Sequence, residues 1–351
     1  MENKNENAFD EIERIRKQQE AKNRIRRRRR RNRLAKKILP GLLLLCVITA
    51  GILFVYFPLV RKDFRFLPFL RPETPDTYDF TEQIEDPEHS LVITFVDVGE
   101  GDSTILYDPK RESVLILDGG TQEYASHVAE CAKRFGNVKD VRLLLTHPHA
   151  DHAQGLTQIV RMKSLPVIGL YYSAPTAAES GFAPLRTQIT ALGLPMVPLK
   201  AGDELAFGDA VIHIVSPKNE PYEDLNNASI AALVVHEGHK ILIAGDMERD
   251  AETVLCDDEV LSARIRDVDI LRVAHHGSNS STSYRFLDIT YPGIAVISVG
   301  ADNAYGHPSD NVLSRLEDLA RTRSGGTSIL RTDREGDIVF ASGPAGIKRL
   351  K

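Results

Sequence analysis

Past residue 90 the chain alternates short apolar runs with polar breaks. The runs LVITFVDV (91–98), STILYD (103–108), SVLILD (113–118), VRLLLT (141–146) and AVIHIVS (210–216) are short and rich in Val, Ile and Leu. IAALVVH (230–236), KILIAGD (240–246), VDILRVA (268–274), GIAVISVG (293–300) and DIVFA (337–341) continue the series. That texture predicts strands, several of them buried on both faces. Helical periodicity fills some gaps, at 121–135, 153–163, 248–256 and 310–321. Residues 91–351 are long enough for a two-sheet α/β core flanked by helices.

The pattern before residue 90 is different. Residues 38–60 read ILPGLLLLCVITAGILFVYFPLV, without one charge. At 1.5 Å per residue such a run crosses a hydrocarbon core of roughly 30 Å. The absence of a polar stripe argues against a buried core helix. Phe54, Tyr56 and Phe57 suit an interfacial aromatic belt. A cleaved signal peptide fits less well, because its apolar region is only about 7–15 residues long and its charged region is short. The expected order is a basic cytoplasmic tail (1–37), a single transmembrane anchor (38–60), a linker with Pro68, Pro72, Pro75 and Pro87 (61–90), and a catalytic domain (91–351).

Charge changes the picture at the same boundary. Residues 1–62 carry 17 Lys+Arg against 6 Asp+Glu, net +11, which leaves −16 on residues 63–351 within the total of −5. Arg24, Arg26 through Arg31, Arg33, Lys36 and Lys37 precede the apolar run, against Arg61 and Lys62 after it. The positive-inside bias puts the amino terminus in the cytoplasm and the domain outside the cell membrane. Cys46 lies in the apolar run, and Cys131 and Cys256 are isolated. They read as small buried hydrophobes, with one disulfide between the latter two left open.

The chemistry concentrates at His147-Pro148-His149-Ala150-Asp151-His152, between a strand pattern and a helical one. In extended chain, residues two apart point the same way, so His147 and His149 can face one metal. Where the chain turns into the helix, Asp151 and His152 can hold a second. Two metals about 3.5–4 Å apart share a hydroxide and stabilise both entering and leaving oxygens. Other histidines are plainer. His236 and His239 flank a hairpin bend at Gly238, and His89, His127 and His213 read as structural or surface groups. Asp203, Asp209 and the run Asp257-Asp258-Glu259 read as solvated.

H-x-H-x-D-H is the signature of the metallo-β-lactamase superfamily. FVDVGEGDSTIL, LILDGG, LLLTHPHADHAQGL, NNASIAALV, ILIAGD, LRVAHHGSNSSTS and ISVGADNAYGHPS occur in order over residues 91–310. They resemble the metallo-β-lactamase-like domain of the DNA-uptake (competence) channel family and its stand-alone relatives. The resemblance implies a four-layer αββα sandwich, here behind a transmembrane helix, and two divalent metal ions, Zn²⁺ first and Mn²⁺ as the alternative. It makes Asp246 the carboxylate that bridges both metals. It makes His275 the remaining ligand, with His276 facing substrate or supporting it, or the two in reverse order. The expected metal ligands are therefore His147, His149, Asp151, His152, Asp246 and His275. Asp151, Asp246, His276 and His307 are expected to take part in catalysis, His307 as substrate contact or proton donor unless it only caps the turn before Pro308.

Asp102, Asn226, Ser278 and Asn303 are the expected substrate contacts. Asn226, Asn227 and Ser229 occupy the place where many superfamily members have another histidine. Glu100 stands where relatives commonly have Gln. The implied activity is hydrolysis of a phosphodiester, DNA among the candidates, by a metal-bridging hydroxide and without a nucleotide cofactor. The acidic domain argues against easy capture of a polyanion. Two alternatives follow: hydrolysis of a small or wall-associated phosphoester, and a metal-binding accessory subunit of a DNA-uptake or envelope complex with little activity. No feature of the sequence names a protein partner.

Overall fold

The computed structural model describes residues 83–218 and 222–351. The expected tail and transmembrane anchor, and the linker up to residue 82, lie outside the described residues. Among the described residues, no helix is long and apolar enough to cross a membrane.

Among the described residues, fifteen strands form two sheets. The first eight-stranded sheet begins with β1 (Leu91–Phe95), β2 (Thr104–Asp108), β3 (Ser113–Leu117), β4 (Asp140–Leu145), β5 (Val167–Ser173) and β6 (Met196–Leu199). It is completed by β14 (Ile338–Gly343) and β15 (Gly346–Arg349), in the order β15-β14-β1-β2-β3-β4-β5-β6. The seven-stranded sheet holds β7 (Glu204–Phe207), β8 (Ala210–Ser216), β9 (Ala231–His236), β10 (His239–Ile243), β11 (Ile270–Arg272), β12 (Ile294–Ile297) and β13 (Ser328–Arg331). Its strands lie in chain order, from β13 at one edge to β7 at the other. β3 through β6 pair in parallel, as do β10 through β13, and the other pairings are antiparallel.

Three cores separate the layers. Alternate residues of β1 go to opposite sides: Leu91, Ile93 and Phe95 enter the core between the sheets, while Val92 faces the helices. That is why LVITF is buried along its whole length, since both faces of the strand are covered. Helices α1 (Ala125–Lys133), α2 (Ala150–Met162) and α3 (Ala183–Ala191) pack on the first sheet. Helices α4 (Arg249–Asp257), α5 (Glu259–Arg264), α6 (Tyr284–Thr290) and α7 (Asp310–Thr322) cover the second. The short α8 (Thr332–Glu335) leads toward β14. The expected α/β sandwich with two sheets is the observed one.

Differences from the sequence expectations have local causes. β5, β6, β7, β13 and β15 were not expected: four of them are edge strands and β5 lies next to one, and their half-exposed residues lack a clean apolar run. In the acidic run read as solvated, Asp257 and Glu259 are exposed, while Asp258 also caps α5, its side chain accepting the N–H groups of Val260 and Leu261 at 3.0 Å each. Cys131 belongs to the core under α1 and Cys256 to the core under α4, on opposite outer layers, so the two thiols are free and buried. The linker expected to reach residue 90 gives up Ile84, which is buried in the first core.

Candidate metal centre

The centre lies where β3, β4, β10 and β11 end. Helix α2 starts three residues earlier than its apolar pattern suggests, so Asp151 and His152 stand in its first turn and His149 is the extended residue before it. A close contact fixes this start. A Cβ on Gly155 would lie 1.7 Å from the Gly119 carbonyl oxygen, so only glycine lets the helix rest on the Gly119-Gly120 turn.

Asp118 organises the first half of the site. Its Oδ1 accepts the Thr146 N–H at 2.8 Å, and its Oδ2 accepts the Thr146 hydroxyl at 2.6 Å and the His152 Nδ1–H at 2.7 Å. His147 Nδ1 lies 3.2 Å from the same hydroxyl. These bonds turn His152 Nε2 and His147 Nε2 inward. His147 Nε2 then meets His149 Nδ1 at 2.9 Å, and lies 3.9 Å from Asp246 Oδ2.

The second sheet supplies the rest. Asp246 Oδ2 lies 3.0 Å from His152 Nε2 and 3.4 Å from His276 Nε2. Asp151 Oδ2 is 3.8 Å from the first ring and 3.5 Å from the second. Asp151, His152, Asp246 and His276 therefore converge as donors that could hold a metal ion. The His276 Nδ1–H donates to the Ser298 carbonyl at 3.0 Å, which leaves Nε2 buried without a hydrogen-bond partner. An orphaned ring nitrogen aimed at two carboxylates fits a cation.

His276 thus occupies the position expected of His275. Both residues have positive φ, 50° for His275 and 53° for His276, a strained conformation for non-glycine residues. The bend throws the two rings apart. His275 Nδ1 pairs with Glu248 Oε1 at 3.0 Å, and Ser280 donates to the same oxygen at 2.6 Å.

Charge within the site is tightly balanced. Burial opposes ionisation of Asp246, but the neighbouring His152 and His276 hold its carboxyl well below the usual range. Burial likewise opposes a charge on His276, yet Asp246 and Asp151 pull its pKa up to about 10. His152 is pushed well above its ordinary value by Asp246, Asp118 and Asp151, against its burial. Burial keeps His147 well below its ordinary value, helped by His152.

The remaining expected residues divide. Asp102 is buried beside the centre and pairs with Arg272 Nη2 at 2.9 Å; burial raises its pKa. The His307 ring stacks on that of His276 with centroids 6.2 Å apart, and its Nδ1–H donates to Glu100 Oε1 at 2.9 Å. Asn226 is buried with an unpartnered Oδ1. Its neighbours are structural: Asn227 Oδ1 accepts the N–H groups of Glu248 and Ala251 at 3.1 Å, and Ser229 Oγ accepts that of Asp246 at 3.2 Å. Ser278 Oγ bonds Ser280 Oγ at 2.8 Å. The expected substrate contact Asn303 has its amide engaged inside its own loop. It donates to the Gly300 and His307 carbonyls and accepts from the Tyr305 and His307 N–H groups, because the turn leaves those backbone groups no other partner within the loop.

Sequence reasoning missed Arg272 and Glu248. Arg272 is fully buried and donates Nη1 to the Gly245 carbonyl at 2.6 Å, with Asp246 Oδ1 at 3.5 Å. Its signal was an arginine inside the apolar run VDILRVA, where a charge needs a buried partner.

A two-sheet sandwich with a His/Asp donor cluster at its strand ends defines a metal-site protein of the β-lactamase type. The family model described as metallo-beta-lactamase superfamily matches residues 96–301, and the chain belongs to that superfamily. It is 30% identical over 269 residues to ComE operon protein 3 of Bacillus subtilis (strain 168), covering 71% of this chain and 32% of that protein. Competence protein ComA of Neisseria gonorrhoeae is 28% identical over 264 residues, covering 75% of this chain and 34% of that protein. The chain thus spans about a third of the length of these relatives. Among solved structures, the metallo-beta-lactamase fold protein YhfI from Bacillus subtilis is similar at TM-score 0.46 and 12% identity, covering 72% of this chain and 99% of that one.

Proposed function

We propose that the chain is a membrane-tethered phosphodiesterase that works outside the cytoplasm with two divalent cations, Zn²⁺ or Mn²⁺. The observation that carries the reading is the buried Nε2 of His276, unpartnered and directed with His152 Nε2 at the carboxylates of Asp151 and Asp246. His147, His149 and Asp246 would hold one cation, and Asp151, His152, Asp246 and His276 the other. Bound there, the metals would supply hydroxide from water at neutral pH and polarise a phosphoryl oxygen.

The chain's own groups do the rest. Asp118 and Ser298 fix the imidazole tautomers, so that Nε2 of His152 and His276 faces the centre. Glu100 holds His307 by Nδ1, which leaves Nε2 as the atom that carries a proton to the departing oxygen. Similarity to competence proteins supports DNA as the phosphodiester. The net charge of −16 on residues 63–351 supports a small phosphoester as a second reading.

Full-length protein assayed with Zn²⁺ and Mn²⁺ against single- and double-stranded DNA, a chromogenic phosphodiester and a chromogenic lactam tests both. Turnover of the small ester without DNA cleavage supports the second reading. Turnover of the lactam alone refutes the phosphodiesterase assignment.

A further inference from the structure

Helix α1 carries a second group of donors, outside the centre at the strand ends. His127 and Cys131 stand four residues apart, on one face of the helix. Both face Asp337, the residue before β14. His127 Nε2 lies 3.0 Å from Asp337 Oδ1, and Cys131 Sγ lies 3.6 Å from both His127 Nε2 and Asp337 Oδ2. We propose that His127, Cys131 and Asp337 form a separate Zn²⁺-class metal site.

Three observations carry it. Ligand lengths of a tetrahedral zinc site set its donors roughly 3.4–3.6 Å apart, close to the two sulfur distances seen here. A cysteine, a histidine and a carboxylate are the donors borderline-soft divalent metals take. The site is closed on one side and open on the other, since Cys131 is 1% exposed while the His127 side chain is 30% exposed, which leaves an approach for the ion and a water as fourth ligand.

Charge allows it as well. Arg134 Nη1 donates to Asp337 Oδ2 at 2.9 Å, and the Asp97 N–H donates to Asp337 Oδ1 at 3.0 Å. Asp337, the Asp97 carboxylate and a Cys131 thiolate match in number the charges of Arg134 and a divalent ion. Burial and the Asp337 charge keep the thiol protonated until the metal arrives, so binding releases one proton from Cys131 to solvent. The ion would fasten α1 to the start of β14 and, through Asp97, to the loop that carries Glu100 and Asp102.

Titration of chelator-treated full-length protein with Co²⁺ tests this, because the strand-end centre has only nitrogen and oxygen donors. With Cys46 and Cys256 changed to serine as background, a thiolate-to-cobalt charge-transfer band is expected, with one more Co²⁺ per chain than Cys131→Ser binds. Asp246→Asn keeps the band, Cys131→Ser abolishes it, and His127→Ala weakens the affinity behind it about tenfold or more. No such band in the Cys131-containing protein, or a band that survives Cys131→Ser, overturns the proposal and leaves Asp337 the hub of an ion-pair network only.

Discussion

The first sheet brings three imidazoles and a carboxylate to the metal centre from six consecutive residues, His147 to His152, held by the single buried hub Asp118. The second sheet brings Asp246 and His276 from the ends of two different strands, with the buried cation Arg272 between them. One half is ordered by a contiguous motif and the hydrogen bonds of one carboxylate. The other is ordered by a fixed charge and by two strained residues, His275 and His276. Removal of a support should therefore cost mainly ligand orientation in the first half and fold stability in the second.

The largest effect belongs to the second half. Arg272→Met leaves Asp102 and Asp246 buried without their cation, and is expected to lower unfolding stability by about 3–5 kcal/mol in chelator-treated protein. Denaturant unfolding checks it, and wild-type stability would break the contrast between the halves. Next, His276→Ala should weaken metal binding more than about 100-fold, beyond what loss of a supporting residue costs, while His275→Ala stays within about tenfold. Competition with a metal-sensitive dye measures both, and the reverse ranking would restore His275 as the donor.

In the first half, Asp118→Asn is expected to weaken metal binding by about 10–100-fold while stability falls less than for Arg272→Met. The same dye and unfolding assays compare the two.

The Asp337 network gives a pH signature away from the strand-end centre. Burial opposes ionisation of Asp337, but His127, the Asp97 N–H and Arg134 outweigh it and hold the carboxyl well below its usual range. A lowered folded pKa means the contribution is complete above the unfolded value near 4 and is lost as pH falls below it. Unfolding of chelator-treated protein between about pH 7 and 3 should show that loss, and Asp337→Asn should flatten it. The smallest effect is expected for Lys348→Ala, which removes an exposed pair with Glu85, so its denaturant unfolding midpoint should match the wild type.

How much of this was legible depends on what each element gives the eye. Strands covered on both faces, such as LVITF and SVLIL, announce themselves because apolar residues follow one another in them without alternation. Edge strands such as GIKR do not, since half their residues face water. His147, His149 and His152 were readable as a unit, because strand and helix geometry bring neighbours together. The choice between His275 and His276 was not, because it depends on a left-handed bend that no pattern of side chains encodes. Asn227 and Asn303 were open to a functional reading for a similar reason: asparagines that cap a helix or close a loop look like asparagines that touch substrate.

The most direct test of the central claim is hydrolysis of a chromogenic phosphodiester by chelator-treated full-length protein, before and after Zn²⁺ or Mn²⁺ is returned, beside Asp246→Asn. No turnover is expected without metal, turnover should return with it, and the variant should stay lower by at least about 10³-fold while remaining folded. Turnover that survives the chelator, or full activity in metal-replete Asp246→Asn, would contradict the account.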